Sequence, residues 1–156
     1  MLGVFPTIDH SGSVSNKLDY SLYYFSAFPL IKAKDPDFKK DPYFLLFYAE
    51  QTLHFKVKEN FILGAAYVFQ RENVRKPYYA NENRIPLQAK YKHKINLITI
   101  QHRMRFDARF TSTALTNNAV FTHRLRYLIG GEYALCAKLY MIVYEEAFFN
   151  TFKNAS

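Results

Sequence analysis

The sequence predicts an all-β protein, an antiparallel up-and-down transmembrane β-barrel with about eight strands, formed by residues 1–156 as a single domain. Three observations lead there. Apolar and polar residues alternate with a period of two over long segments, as in a ribbon whose successive side chains point to opposite faces. These segments run to roughly nine to fifteen residues, the span of a tilted membrane strand, where small soluble sheets use about five or six. The apolar face holds so many Phe and Tyr that a small barrel could not pack them inside. Inverting the barrel resolves this, with aromatics toward lipid and charges toward the lumen.

Each element follows from this pattern. A short first strand falls within Leu2 to Ile8, and Asp9-His10-Ser11-Gly12-Ser13 has the composition of a loop. Lys17 to Leu30 is an aromatic-rich strand, and the charged stretch Lys32 to Pro42 is a loop. From Tyr43 to Val57, Leu45, Phe47, Ala49, Leu53 and Phe55 share one face, with Tyr48, Glu50, Thr52 and His54 on the other. Lys58-Glu59-Asn60 reads as a hairpin turn. Phe61 to Arg71 then sets Phe61, Leu63, Ala65, Tyr67 and Phe69 against a mostly small face of Ile62, Gly64, Ala66, Val68 and Gln70. After a loop from Glu72 to Asn81, Asn83 to Lys94 offers Leu87, Ala89 and Tyr91 against Arg84, Gln88, Lys90 and Lys92.

Thr99 to Phe110 is the clearest ribbon. Ile100, His102, Met104, Phe106, Ala108 and Phe110 lie on one face; Gln101, Arg103, Arg105, Asp107 and Arg109 lie on the other. A helix would scatter those charges around its circumference. After a loop from Thr111 to Asn118, His123-Arg124-Leu125-Arg126-Tyr127 echoes His102-Arg103-Met104-Arg105-Phe106, as adjacent strands with matched faces would. A short turn follows Gly130-Gly131, and Lys138 to Asn150 is a last aromatic-rich strand. Short turns alternating with longer polar loops are the asymmetry of an outer-membrane barrel.

The inward reading predicts a lumen charge network. Arg84, Arg103, Arg105, Arg109, Arg124 and Arg126 would pair with Glu50, Glu82, Asp107 and one of Glu145 or Glu146, with Glu145 assigned. The planar guanidinium suits bidentate carboxylate pairing in a crowded interior. Such an interior is plugged and self-paired, although an Arg-rich lining could also pass small molecules or select anions.

Composition sets limits on the alternatives. A net charge of +8 invites a nucleic-acid partner, and Arg105-Phe106 and Arg126-Tyr127 could form stacking platforms. The charges are spread from Lys17 to Lys153, however, with Lys39-Lys40 the longest run, so no nucleic-acid partner is expected. One cysteine, Cys136, excludes an internal disulfide framework. The longest apolar stretch, Phe61 to Phe69, is half of a spanning helix. His102 and His123 on the apolar face could pair at a metal, but read as interfacial residues. His123 with Thr122 or Ser112 could be imagined in a lipid hydrolase, yet no nucleophile stands in a diagnostic string. No catalytic residue, cofactor or metal is assigned. The readings set against the barrel are a soluble β-barrel that binds a small ligand or nucleic acid, and an outer-membrane lipid-modifying enzyme.

Several strings together carry a family resemblance: Pro6-Thr7-Ile8-Asp9-His10-Ser11-Gly12, Lys17-Leu18-Asp19-Tyr20-Ser21-Leu22-Tyr23-Tyr24-Phe25, Asn81-Glu82-Asn83-Arg84, the two His-Arg-x-Arg strings, and Tyr144-Glu145-Glu146-Ala147-Phe148-Phe149-Asn150. In this order they resemble the domain of unknown function 2490 family. The resemblance implies an outer-membrane β-barrel of Bacteroidota without assigned activity, exported and surrounded by outer-membrane lipid. It also implies that the chain lacks a signal peptide and the closing C-terminal strands.

Overall fold

The computed structural model describes residues 2–31, 45–74, 79–113, 116–136 and 139–151. None of these is helical. They form β1 (Leu2–Val4), β2 (Thr7–Ser15), β3 (Leu18–Ile31), β4 (Leu46–Lys58), β5 (Phe61–Glu72), β6 (Ala80–Ile95), β7 (Ile98–Thr113), β8 (Thr116–Cys136) and β9 (Leu139–Thr151). Every pairing is antiparallel and every neighbour from β3 to β9 is consecutive in the chain. β1 and β2 lie end to end along the same edge of β3, so the nine segments make eight strand positions of an up-and-down sheet. The sheet is open among the described residues, with β1–β2 at one edge and β9 at the other.

Register explains where the elements differ from the expectations. Asp9–Ser13, expected as a loop, lies within β2, because each of its residues is paired with β3 from Asp9↔Tyr23 to Ser13↔Asp19. Gly12 leaves room for the Tyr20 ring, which a Cβ would meet at 2.8 Å. The loop expected from Thr111 to Asn118 is mostly strand, since β7 runs to Thr113 and β8 starts at Thr116. Gly130-Gly131 ends no strand; β8 continues through it to Cys136, paired to β7 and β9 on both sides. Glu59–Asn60 and Asn96–Leu97 are tight turns, and Asn96 takes the positive φ of 53° that Asn tolerates better than most residues. The expected loop at 32–42, the strand start at 43–44, the turn residues 114–115 and the Cys136 side chain lie outside what is described.

The sheet is curved with its charged face on the concave side. Arg105 on β7 reaches Glu50 on β4 at 2.9 Å, although two strands intervene. Neighbouring strands are about 4.8 Å apart, so a flat sheet would hold these two backbones roughly 14 Å apart. What lies between is low: Gly64, Ala66 and Val68 of β5 face the same side as Glu50, and Val68 is directly opposite it. Pro86 of β6 is fully buried beside them, opposite Asp107. Among the described residues the β5–β6 pairing lapses between Ala65↔Leu87 and Val68↔Arg84, where Pro86 has no N–H to offer.

Enlarging this floor is expected to separate Glu50 from Arg105. Ala66→Leu should lower stability by about 1–3 kcal/mol, the usual cost of overpacking. Ala65→Leu, on the opposite face, should change it by no more than about 0.5 kcal/mol. Denaturant unfolding of both variants in uncharged detergent would measure the difference.

Candidate functional site

The concave face carries the candidate site, and strand parity builds it. Side chains two apart on one strand share a face. Register then aligns Glu50 with Val68 and Arg84, and Arg105 with Gln88 and Arg126. Glu50 accepts both Nη1 and Nη2 of Arg105, at 2.9 and 3.2 Å, together with the Thr52 hydroxyl at 3.2 Å. The Tyr48 hydroxyl also donates to it. Arg105 Nε donates to Asp107 at 2.9 Å, and the other Asp107 oxygen faces Arg126 Nε at 3.0 Å. Arg126 lies 3.8 Å from Glu146, which accepts from Arg103 Nη2 at 2.9 Å. One continuous chain of charges therefore ties β4, β7, β8 and β9 together.

A second cluster ties β5, β6 and β7. Glu82 accepts Arg84 Nε at 2.8 Å and Nη2 at 3.0 Å, and Arg109 Nε donates to the same carboxylate. The Gln70 side-chain carbonyl accepts from Arg84 Nη2 at 2.6 Å. Arg124 donates to Asn150 at 2.8 Å. Asp107 has no exposed surface at all, and Glu82, Arg84 and Arg105 are buried as well. Buried charges at this depth survive only when paired and hydrogen-bonded, which is how these are held. At the short-turn rim, Lys56 and the Ser13 hydroxyl hold the Asp19 carboxyl below its ordinary range.

Of the ten residues expected in the network, Glu50, Glu82, Arg84, Arg103, Arg105, Asp107, Arg109, Arg124 and Arg126 lie on the concave face. Glu145 does not. It is exposed on the other face opposite Ile129, while Glu146 stands opposite Leu128 on the concave side and makes the ion pairs. β9 is apolar on both faces, with Ile142, Tyr144 and Phe148 on one and Met141, Val143 and Phe149 on the other, so alternation could not say which glutamate turns inward. Tyr48, Thr52, Gln70 and Asn150 join the network without having been expected in it. The signal was available: each lies an even number of residues from a concave-face charge on its own strand.

His93, His102 and His123 sit on the convex, apolar face, while His54 shares the concave face with Glu50 and Thr52. His123 stands opposite Ala108, six residues from His102 along β7, a separation of roughly 20 Å. His102 stacks on His93 and shares a 2.7 Å hydrogen bond with the Tyr127 hydroxyl. His123 packs between Phe106 and Phe121. Thr122, the neighbour of His123 in the strand, faces the concave side, and Ser112 lies four residues beyond Ala108, roughly 13 Å along β7. No group of three or more His, Cys, Asp or Glu among the described residues is placed to hold a metal.

Fold and site together define a curved antiparallel sheet, apolar outside and ion-paired within. Residues 33–156 match the family described as "Protein of unknown function (DUF2490)", and the chain belongs to that family. No curated protein and no solved structure matches it.

Neutralising Asp107 should show what the network contributes. Asp107→Asn leaves Arg105 and Arg126 facing each other across the ladder, and removing one member of a buried pair costs about 3–5 kcal/mol. Glu146→Gln should destabilise less, because that side chain is partly exposed. Glu145→Gln should stay within about 0.5 kcal/mol of the parent. Unfolding midpoints of the three variants, compared in one detergent, would rank them.

Proposed function

We propose that this chain forms the strand-crossing body of a bacterial outer-membrane β-barrel, its convex face against lipid and its ion-paired concave face toward the lumen, with a structural or transport-type role. The observation that carries this reading is inverted burial. Among the described residues, the buried apolar side chains are Ala27, Val68 and Pro86, whereas Thr52, Glu82, Arg84, Gln88, Arg105 and Asp107 are buried and polar. Leu53, Leu63, Ile85, Leu87, Met104, Phe106 and Leu125 are left exposed on one continuous face. In water such a surface is an association hazard; in a bilayer it is the side that meets acyl chains.

The dimensions agree with this. On β7 the outward positions run from Ile100 to Phe110, about 25 Å after a tilt of roughly 40°. That is the height of the apolar band on a membrane barrel. A surrounding of outer-membrane lipid would also account for the aromatic and histidine stacks around Tyr91, His93, His102 and Tyr127, where the apolar band gives way to charge.

The full chain expressed with an export signal should fractionate with outer membranes and migrate differently on a gel before and after boiling. Recovery as a soluble monomer without detergent would overturn the reading. Leu87→Arg sharpens the test: near a bilayer midplane it should cost about 2–4 kcal/mol in lipid, while at an exposed site of a soluble sheet it would be nearly neutral.

A further inference from the structure

Strand parity alone would turn Lys58 toward the concave face with Glu50 and Lys56. A β-bulge between Lys56 and Lys58 reverses this. Lys56 stands opposite Ile62, but Lys58 stands opposite Phe61 and so shares the convex, apolar face. Bulges re-aim side chains in this way. Register continues the row from Lys58 through Phe61, Tyr91, His102 and Ile129 to Glu145 on β9. Lys58 is exposed and, among the described residues, forms no ion pair with neighbouring Glu59 or any other carboxylate. The row therefore has a free cation at one end and an anion at the other.

Two residues further from the turns, roughly 7 Å along the strands, the convex face is recessed. A groove of about 550 Å³ opens there, with Leu53 and Phe55 on one side and Met104 and Phe106 on the other. Ala65 and Ala89, diagonal neighbours on β5 and β6, leave its floor low. The lining comes from the two rows that follow the Lys58 row, Phe55–Leu63–Ala89–Met104 and Leu53–Ala65–Leu87–Phe106. The stacked rings of Tyr91, His93 and His102 stand at the margin nearer the turns, where the apolar band ends. An apolar recess, a margin of amphipathic rings and one unpaired cation lie in sequence on a single face.

We propose that this groove holds one phospholipid molecule with a net negative headgroup, an acyl chain lying over Ala65 and Ala89 and the phosphate beside Lys58. Methylene groups seated in the recess are removed from polar surroundings on more sides than on the smooth remainder of the face. A lysine at the height of the headgroups favours anionic lipid. Tyrosine and imidazole rings are amphipathic and suit the boundary between chain and headgroup. Glu145 repels a negative headgroup, which directs it to the Lys58 end of the row. The inference rests on the membrane reading and adds to it that one patch of the convex face retains a lipid of defined charge.

Native mass spectrometry of the full chain tests it, after incubation in uncharged detergent with equal amounts of phosphatidylglycerol and phosphatidylcholine carrying the same acyl chains. One retained phosphatidylglycerol per chain is expected. Ala65→Leu, at an outward position where little loss of stability is expected, fills the groove and should abolish retention, and Ala89→Leu should do the same. Lys58→Gln should lower the preference for phosphatidylglycerol about fivefold, and Lys58→Arg should keep it. Lys94→Gln removes a cation from the concave side, opposite Thr99, and should leave the preference unchanged. No retained lipid, equal retention of both lipids, retention that survives Ala65→Leu, or a lipid-free dimer would overturn the proposal while leaving fractionation with outer membranes as expected. Recovery as a soluble monomer without detergent would overturn both the proposal and the membrane reading.

Discussion

The contact between Arg105 and Glu50 is the constraint on which the rest of the sheet depends. It joins β7 to β4 across two intervening strands, and it can do so only if the sheet curls and the strands between carry small inward side chains. Gly64, Ala66 and Val68 supply the low floor on β5. Once Arg105 is held there, its Nε is directed at Asp107, and Asp107 in turn fixes Arg126. The curvature and the ion pairs are thus one feature: flattening the sheet would part the charges, and removing the charges would leave no reason for so many inward arginines.

This inverts the usual division between core and surface. A soluble sheet gains its stability by burying apolar area and leaves its charges in water. Here the described core is largely polar, and its stability rests on geometry: bidentate forks, shared carboxylates, and hydroxyl or amide groups such as Thr52 and Gln70 that use the remaining lone pairs and protons. Arginine suits that task better than lysine, since five fixed donors can serve two carboxylates at once. Arg105 does so for Glu50 and Asp107, and Arg126 lies against both Asp107 and Glu146.

How much of this could be read from the sequence depended on how strictly each strand alternates. On β4 and on β6 to β8 the two faces differ sharply in polarity, and parity alone placed nine network residues on one side. On β9 both faces are apolar, and the choice between Glu145 and Glu146 needed register with β8. On β2 the run Asp-His-Ser-Gly-Ser has loop composition, yet an edge strand needs little more than backbone pairing, and β3 provides it. Gly130-Gly131 misleads for a related reason: glycine there serves close packing against Tyr144, with a would-be Cβ 3.3 Å from the Tyr144 Cβ, and does not mark a turn. The bridging of Arg105 to Glu50 was beyond any local pattern, because it joins residues 55 apart.

The same parity argument bears on the balance of charge. Within the network six arginines share four carboxylates, Glu50, Glu82, Asp107 and Glu146, so not every guanidinium there has a carboxylate of its own. Arg124 donates instead to neutral Asn150 near the β9 edge. Lys90 stands opposite Arg103 and Lys92 opposite Gln101, toward the end of the sheet where the Asn96–Leu97 turn lies, while Arg103 itself is paired with Glu146. The centre of the network is held by ion pairs, with Asp107 Oδ2 and Arg126 Nε facing each other at 3.0 Å without completing a hydrogen bond, so position along the strands decides which charges are fully paired.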